Sequence, residues 1–566
     1  MFLAITGPWL VILSIIAFIL IIGIIIIVHE AGHLFWAKRA GILCHEFSIG
    51  MGPIIYKKQF KETLFCIRAI PIGGYVAMAG EEVTDDLVKV GDEIGVNLEG
   101  DEVVDIILDE KREAQVRGKV ISRDLVGKDQ NELYITLEEG TSSVFYKVRS
   151  NAKYVFEHNK TLQIEPYERT FDAKSKWKRF ITLLGGSLNN FILAILIYLI
   201  VSFASGVANT ASTKIGSVAS DDSIKYPSTG ILYAGDEIKS VNGVAVSTWD
   251  DFSKQAQLVY DANNTTLSLE VIRNNETKNV QIEAYTYLVS IGLSNIGSSD
   301  YKYTTKTVNG KTYSGLEVGQ VGIRYIDKSN GNLITTGDLL TKISITYHKD
   351  ETDKTNLIDK ELTSWGELMA IFRDIKNPAK IQFSYYHLEN GDYKYVDRSA
   401  VIENYTKEVL DNQRIESIQN KIGISPTTRF DFIACTGNAF KSFWSDFTLI
   451  FRTLKLLIAP SGVRQVGVQN LSSVVGIFDM VKSNIGAGFL PLLAFAAMIC
   501  VNIGVVNLLP IPALDGGRIV FLAVEAVTKK KPSKKVEAAI NNVFFILILA
   551  LFVFITINDI LRIANR

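Results

Sequence analysis

Uncharged apolar runs alternate with long polar stretches along this chain, and that alternation divides it before any motif is read. No charged side chain occurs from Met1 to Val28. Trp9 to Val28 alone reaches the roughly 20 residues a helix needs to cross a bilayer. Three further runs reach spanning length: Phe180 to Ser205, apolar except around Gly185–Asn190; Leu490 to Leu509, which includes Asn502 and Asn507; and about Val543 to Ile557. The pattern predicts a multi-pass α-helical membrane protein with four transmembrane helices. The first run has no basic start and no A-x-A-like site after it, so it reads as a retained helix rather than a signal peptide.

Between the spans the pattern changes period. Phe47–Pro53 and Leu64–Val76 mix Gly and Pro with apolar β-formers, which predicts a membrane-associated hairpin loop over residues 41–80. An extended segment at Gly73 and Gly74 suits pairing with an unwound peptide strand. Residues 81–170 start with an acidic run from Glu81 to Glu113, alternating with Val, Ile and Leu, and continue with strand-like segments. They are expected to form a β-rich insertion, the charge run being a solvated face.

The long region after the second span contains an internal repeat. Ala234–Gly243 is followed by Ser247–Phe252 and a strand-like Thr266–Ile272; Thr336–Ile343 is followed by Thr363–Leu368 and a strand-like Lys380–Tyr386. Each copy has Gly-Asp before a short β-run, then a Trp that opens a helix, then a strand. The first copy's G-D-x-I-x-x-V-N-G run resembles PDZ domains, which bind extended peptides along a sheet edge. The second lacks the Asn-Gly and carries an extra polar stretch from His348 to Asp359. Expected units are therefore a first helix at 1–40, a second at 175–206, α+β PDZ-like domains at 207–295 and 300–425, membrane-surface helices at 426–487, and two further spans at 488–527 and 536–563.

Composition narrows the class. The chain has 566 residues, 48% of them hydrophobic, too long and apolar for one soluble domain. A net charge of −1 argues against nucleic-acid partners. Its four cysteines, Cys44, Cys66, Cys435 and Cys500, have no C-x-x-C spacing, so neither a disulfide framework nor a cysteine-based zinc site is expected. Basic residues after span one, before span two, and between spans three and four (Lys529 to Lys535) place those connections in the cytoplasm. Both termini and the PDZ-like region then face outward from a plasma membrane.

The chemistry concentrates where the first span ends. His29-Glu30-Ala31-Gly32-His33 is an H-E-x-x-H motif set in apolar sequence, in a chain with only 6 His. Residues four apart share a helix face, so His29 and His33 can offer two imidazoles to one ion with Glu30 beside it. The alternative is that each His merely anchors a helix end. A hydrolytic zinc site needs a third protein ligand and an open position. Asp515 is the sole acid between Asp479 and Glu525 and follows a helix broken by Pro510 and Pro512. It is the expected third ligand, the alternative being a cap on the next helix.

With these residues in hand, the chain resembles the site-2 protease family of intramembrane zinc metalloproteases, of the bacterial regulator-of-sigma-E-protease type. The resemblance rests on His29–His33, Ile70–Val76, Arg169–Ser175, Gly186–Phe191, Gly235–Gly243, Asn470–Ser472 and Asn507–Gly517, spread in family order along nearly the whole chain. Ser187 and Ser473-Val474 depart from it, where Pro and Gly-Pro are usual. The resemblance implies cleavage of transmembrane segments in single-span membrane proteins, such as anti-sigma factors or remnant signal peptides. It also implies Glu30 as catalytic base, Zn2+ on His29, His33 and Asp515, and Asn190 and Asn507 at the oxyanion or substrate backbone. A membrane-anchored peptide-binding scaffold and a metal transporter are the competing classes, and the intact Glu30 argues against the first. Oligomeric state, the natural substrate and the job of the insertion are not legible.

Overall fold

The computed structural model describes residues 8–81, 87–127, 132–140, 142–157, 160–219, 226–289, 291–295, 303–321, 334–347, 357–375, 378–402, 416, 418–458 and 473–564. Asn470–Ser472 and most of the His348–Asp359 stretch lie outside them. The chain divides into two compact units, Met1–Val201 with Ala439–Phe447 and Leu471–Arg566, and Ser202–Asn438 with Thr448–Asn470.

In the first unit the apolar runs are helices: α1 (Pro8–Ala40) and α2 (Lys176–Ser205). The helices of the second unit are α3 (Trp249–Asp261) and α4 (Trp365–Asp374), and α5 (Phe432–Ile458) follows. The first unit resumes with α6 (Val474–Ala487), α7 (Phe489–Asn507), α8 (Asp515–Thr528) and α9 (Lys534–Ala564). Among the described residues, four helices are long and apolar enough to cross a membrane: α1, α2, α7 and the Lys534–Leu561 part of α9. Segment 488–527 is two helices rather than one span, because Pro510 and Pro512 cannot continue α7 and the backbone turns before α8 starts.

After α1 the chain enters β1 (Cys44–Phe60) and β2 (Thr63–Met78). Both are sharply bent: Gly50 and Gly52 take φ of +83° and +84°, and Gly73 takes +73°, conformations open to glycine. The bends let Glu46–Ile49 pair on one side with Leu64–Ile67 and on the other with Gly74–Ala77. Among the described residues, no other strand pairs with the free edge of Gly74–Ala77.

The insertion folds as a six-stranded sheet over Glu93–Gln163. Its strand Glu102–Ile107 pairs antiparallel with Glu93–Glu99 and parallel with Ser142–Val155, so the sheet closes into a small barrel. Val96, Val103, Ile106, Ile135 and Leu137 fill its interior without solvent exposure.

In the second unit the repeat is physical as well as textual. Each copy places a helix after a short hairpin and before a long one, α3 with strands Glu237–Val241 and Thr266–Arg273, α4 with Leu339–Tyr347 and Pro378–Glu389. Thr248 and Ser364 cap the two helices, accepting the N–H of Asp251 and Glu367, 3.1 Å each. The Gly-Asp carboxylates are buried and accept the N–H three residues back, Tyr233 for Asp236 (2.9 Å) and Thr335 for Asp338 (2.8 Å). Their partner differs: Arg273 meets Asp236 at 2.7 Å, whereas His387 meets Asp338 at 3.1 Å.

Burial works to raise the Asp236 carboxyl, but the bonds from Arg273 and the Tyr233 N–H outweigh it and hold Asp236 below the ordinary carboxylate range. A lowered folded-state value means the contribution is complete above the ordinary carboxylate pKa and is lost as pH falls through the lowered one. Arg273→Ala leaves a buried charge without its cation and should cost about 3 kcal/mol in this unit. Denaturant unfolding of the full chain should show that loss at neutral pH and a shrinking difference from wild type in acid.

Candidate active site

The H-E-x-x-H residues sit on α1 where it crosses α2, and the crossing is closed by glycine. A Cβ on Gly32 would lie 2.2 Å from the Gly185 carbonyl oxygen, and one on Gly186 would lie 2.3 Å from His33 Nε2 and 2.7 Å from His29 Nε2. Only hydrogen at these positions lets the α2 backbone lie against both imidazoles. His29 and His33 are each 7% exposed. His33 Nδ1 faces the Thr182 carbonyl at 2.9 Å, and His29 Nδ1 faces the Asn190 side chain at 3.3 Å. Both Nδ1 atoms are thus engaged by α2, and both Nε2 atoms lie over Gly186 of the same helix.

Asp515 meets them there. The turn after α7 folds over the start of α8, with Ala513 at φ +75° and its N–H donating to Asn541 Oδ1 (3.1 Å). A Cβ on Gly516 would fall 2.1 Å from the Leu509 carbonyl oxygen, and one on Gly517 2.4 Å from that of Ile511. The two glycines therefore allow the tight return that aims Asp515. Asp515 is the first residue of α8, and Leu514 ahead of it makes no side-chain cap bond. The carboxylate is spent elsewhere: Asp515 Oδ2 lies 3.2 Å from each Nε2, and the two Nε2 atoms are 3.3 Å apart.

That triangle is a direct test of fit to a metal. Tetrahedral zinc with bonds of about 2.0 to 2.2 Å has ligand–ligand edges of about 3.3 to 3.6 Å. Two imidazole nitrogens and one carboxylate oxygen, all within 4.8 Å of one another, match both the donor chemistry and the size of one tetrahedral face. The fourth corner opens on a cavity of about 640 Å³ lined by Glu30, Asn507, Asp515 and the strand Gly73–Met78.

Glu30 faces this cavity beside the glycine-rich strand. A Cβ on Gly74 would lie 2.9 Å from Glu30 Cγ and 3.2 Å from Ile26 Cγ2, so glycine brings the edge strand against α1. Asn507 lines the cavity too, its Nδ2 3.4 Å from His29 Nε2. Asn190 does not. Expected at the oxyanion or substrate backbone, it is fully buried behind His29, on the Nδ1 side and outside the cavity wall.

The sequence reading missed a second polar set in the same wall. Glu81 pairs with Arg518, and His45 Nε2 lies 2.9 Å from Glu165 Oε1, whose other oxygen accepts the Gly80 N–H. Glu81 opens the acidic run assigned to a solvated face, yet its side chain is only 10% exposed, because Arg518 and the cavity wall enclose it. Arg518 stands one helical turn after Asp515, a spacing that could have found it. His45 and Glu165 are 120 residues apart and carry no local signal. Ser187 is buried on α2 beside Gly186. Ser473 caps α6 and donates through its N–H (2.6 Å) and Oγ (2.7 Å) to the buried Asp559 of α9.

Comparison with known proteins points the same way. The model of a family described as Peptidase family M50 matches residues 17–551. A Staphylococcus aureus (strain N315) protein whose name carries zinc metalloprotease is 29% identical over 97% of this chain and 98% of its own length. Zinc metalloprotease RasP of Shouchella clausii is 28% identical, and the regulator of sigma-W protease RasP of Bacillus subtilis is 26% identical, each over 97% of this chain and 98% of the relative.

The glycine crossing makes a prediction of its own. Gly186→Ala should abolish zinc retention on purification while α2 stays helical by circular dichroism. Gly74→Ala should keep the metal and lose cleavage, since its methyl group would press on Glu30, Ile26 and the Ser48 carbonyl and not on the imidazoles.

Proposed function

Because the chain belongs to peptidase family M50 and is a membrane zinc metalloprotease, we propose that it cleaves the transmembrane segments of single-span membrane proteins. In this reading His29, His33 and Asp515 hold the zinc and Glu30 is the catalytic base. The observation that carries it is the triangle of donors 3.2 to 3.3 Å on a side, with Glu30 on the cavity beside its open corner.

When bound, zinc supplies Lewis acidity, which makes water nucleophilic near neutral pH and polarises a carbonyl. The chain's own groups do the rest. Glu30 takes the proton of the attacking water and returns it to the leaving amine. The Asn507 amide, on the cavity side of His29, is the donor for the developing oxyanion or the substrate backbone. A helical substrate hides its peptide bonds, so it has to unwind. The free edge at Gly73, Gly74 and the residues up to Ala77 offers backbone groups to the extended segment.

The repeat of the second unit is read as two PDZ-like domains that admit substrates already trimmed of bulky outer domains. The positive-inside pattern puts that region and both termini outside, and the barrel insertion in the cytoplasm. Anti-sigma factors and remnant signal peptides are the substrate classes. The Bacillus subtilis relative, named a regulator of sigma-W protease, supports the first.

The test separates metal binding from chemistry. Glu30→Gln should retain one zinc and bind substrate, while cleavage of a single-span reporter in proteoliposomes falls 10²-fold or more. Asp515→Ala should lose the zinc itself, by elemental analysis. Cleavage by Glu30→Gln at the wild-type rate would overturn the assignment.

A further inference from the structure

An imidazole ligates through one nitrogen only if its proton sits on the other, and something has to hold it there. For His33 the holder is plain. A carbonyl oxygen only accepts, so the Thr182 oxygen 2.9 Å from Nδ1 fixes the proton on Nδ1 and leaves the Nε2 lone pair to face Asp515.

For His29 the contact reads differently. Its Nδ1 faces Asn190 Nδ2, a donor, at 3.3 Å. That orientation asks Nδ1 to accept, which would put the His29 proton on Nε2, in the middle of the donor triangle. It also leaves the Asn190 Oδ1 atom buried with no hydrogen-bond partner. A half-turn of the amide puts its oxygen against Nδ1 and its NH2 group where the oxygen had been. The oxygen then accepts from Nδ1–H, the orphan is satisfied, and the Nε2 lone pair is free. The two ends of an amide have nearly the same shape, so the turn needs no extra room.

Asn190 is well placed for this role. It is fully buried, outside the substrate cavity, and its backbone carbonyl accepts the Cys500 thiol at 3.2 Å. It lies two helical turns after Thr182 on α2, so one helix reaches behind both imidazoles. We propose that Asn190 is a positioning residue that locks His29 in the Nδ1–H form through its side-chain oxygen, making α2 the element that readies both histidines for zinc. The proposal rests on the zinc assignment above and goes beyond it by giving Asn190 a task away from the substrate.

Zinc affinity of the purified full chain in detergent, measured by chelator competition, tests this, with the absorption spectrum of the cobalt-loaded protein as a second readout. Asn190→Leu removes the acceptor and should weaken zinc binding 10- to 100-fold. Asn190→Asp keeps an acceptor at the same place, so it should bind zinc within a few-fold of wild type and preserve the cobalt spectrum. A substrate-facing or purely packing role predicts neither contrast. Wild-type affinity in Asn190→Leu, or a tenfold loss in Asn190→Asp, would overturn the proposal. Should Asn190→Leu fail to fold, Asn190→Ala takes its place, with the same 10- to 100-fold loss expected and wild-type affinity overturning the proposal. Failure of the zinc assignment looks different: wild type would take up no zinc, or His29→Ala would take up as much as wild type.

Discussion

Everything in the first unit depends on how closely α1 and α2 touch. In a bilayer, apolar side chains gain little by leaving lipid for one another, so helices associate through tight van der Waals contact and a few polar bonds. Gly32, Gly185 and Gly186 allow that contact, and each would collide with the partner helix or its imidazoles if it carried a methyl group. The close approach turns the backbone and side chains of α2 into the back wall of the histidine pair. Without it His29 and His33 would be two ionisable rings in an apolar helix, a costly arrangement with nothing to hold it.

A second set of glycine constraints acts beside the first. Gly74 lets the edge strand lie against Glu30, and Gly516 with Gly517 lets the turn after α7 fold onto α8. Hairpin, crossing and turn each deliver one component to the same small volume: a strand edge, two imidazoles and a carboxylate. Backbone proximity, more than side-chain packing, is what these sequences encode there.

Much of this was legible in the residues. The i, i+4 spacing of His29 and His33 fixes their shared face, and the prolines before Asp515 announce a broken helix. The alternation of apolar and polar runs marks the long helices. The repeat of the second unit was visible because each copy keeps a buried Asp, a helix-capping hydroxyl and a helix-opening Trp. What stayed hidden is contact across long sequence separation. The Thr182 carbonyl carries no side-chain signature, His45 and Glu165 lie far apart, and Glu81 looked like surface because its neighbours in sequence are acidic. For Asn190, sequence shows that an amide is near the site, and only the fold shows which side of His29 it occupies.

The separation of the donors along the chain has a bearing on how the molecule is made. Asp515 lies 482 residues beyond His33, on a helix that exists only once the final quarter of the polypeptide has emerged. A nascent or truncated product carries paired imidazoles but no third donor. On the proposed zinc assignment, synthesis order itself keeps half-built copies inert among the other newly inserted proteins around them.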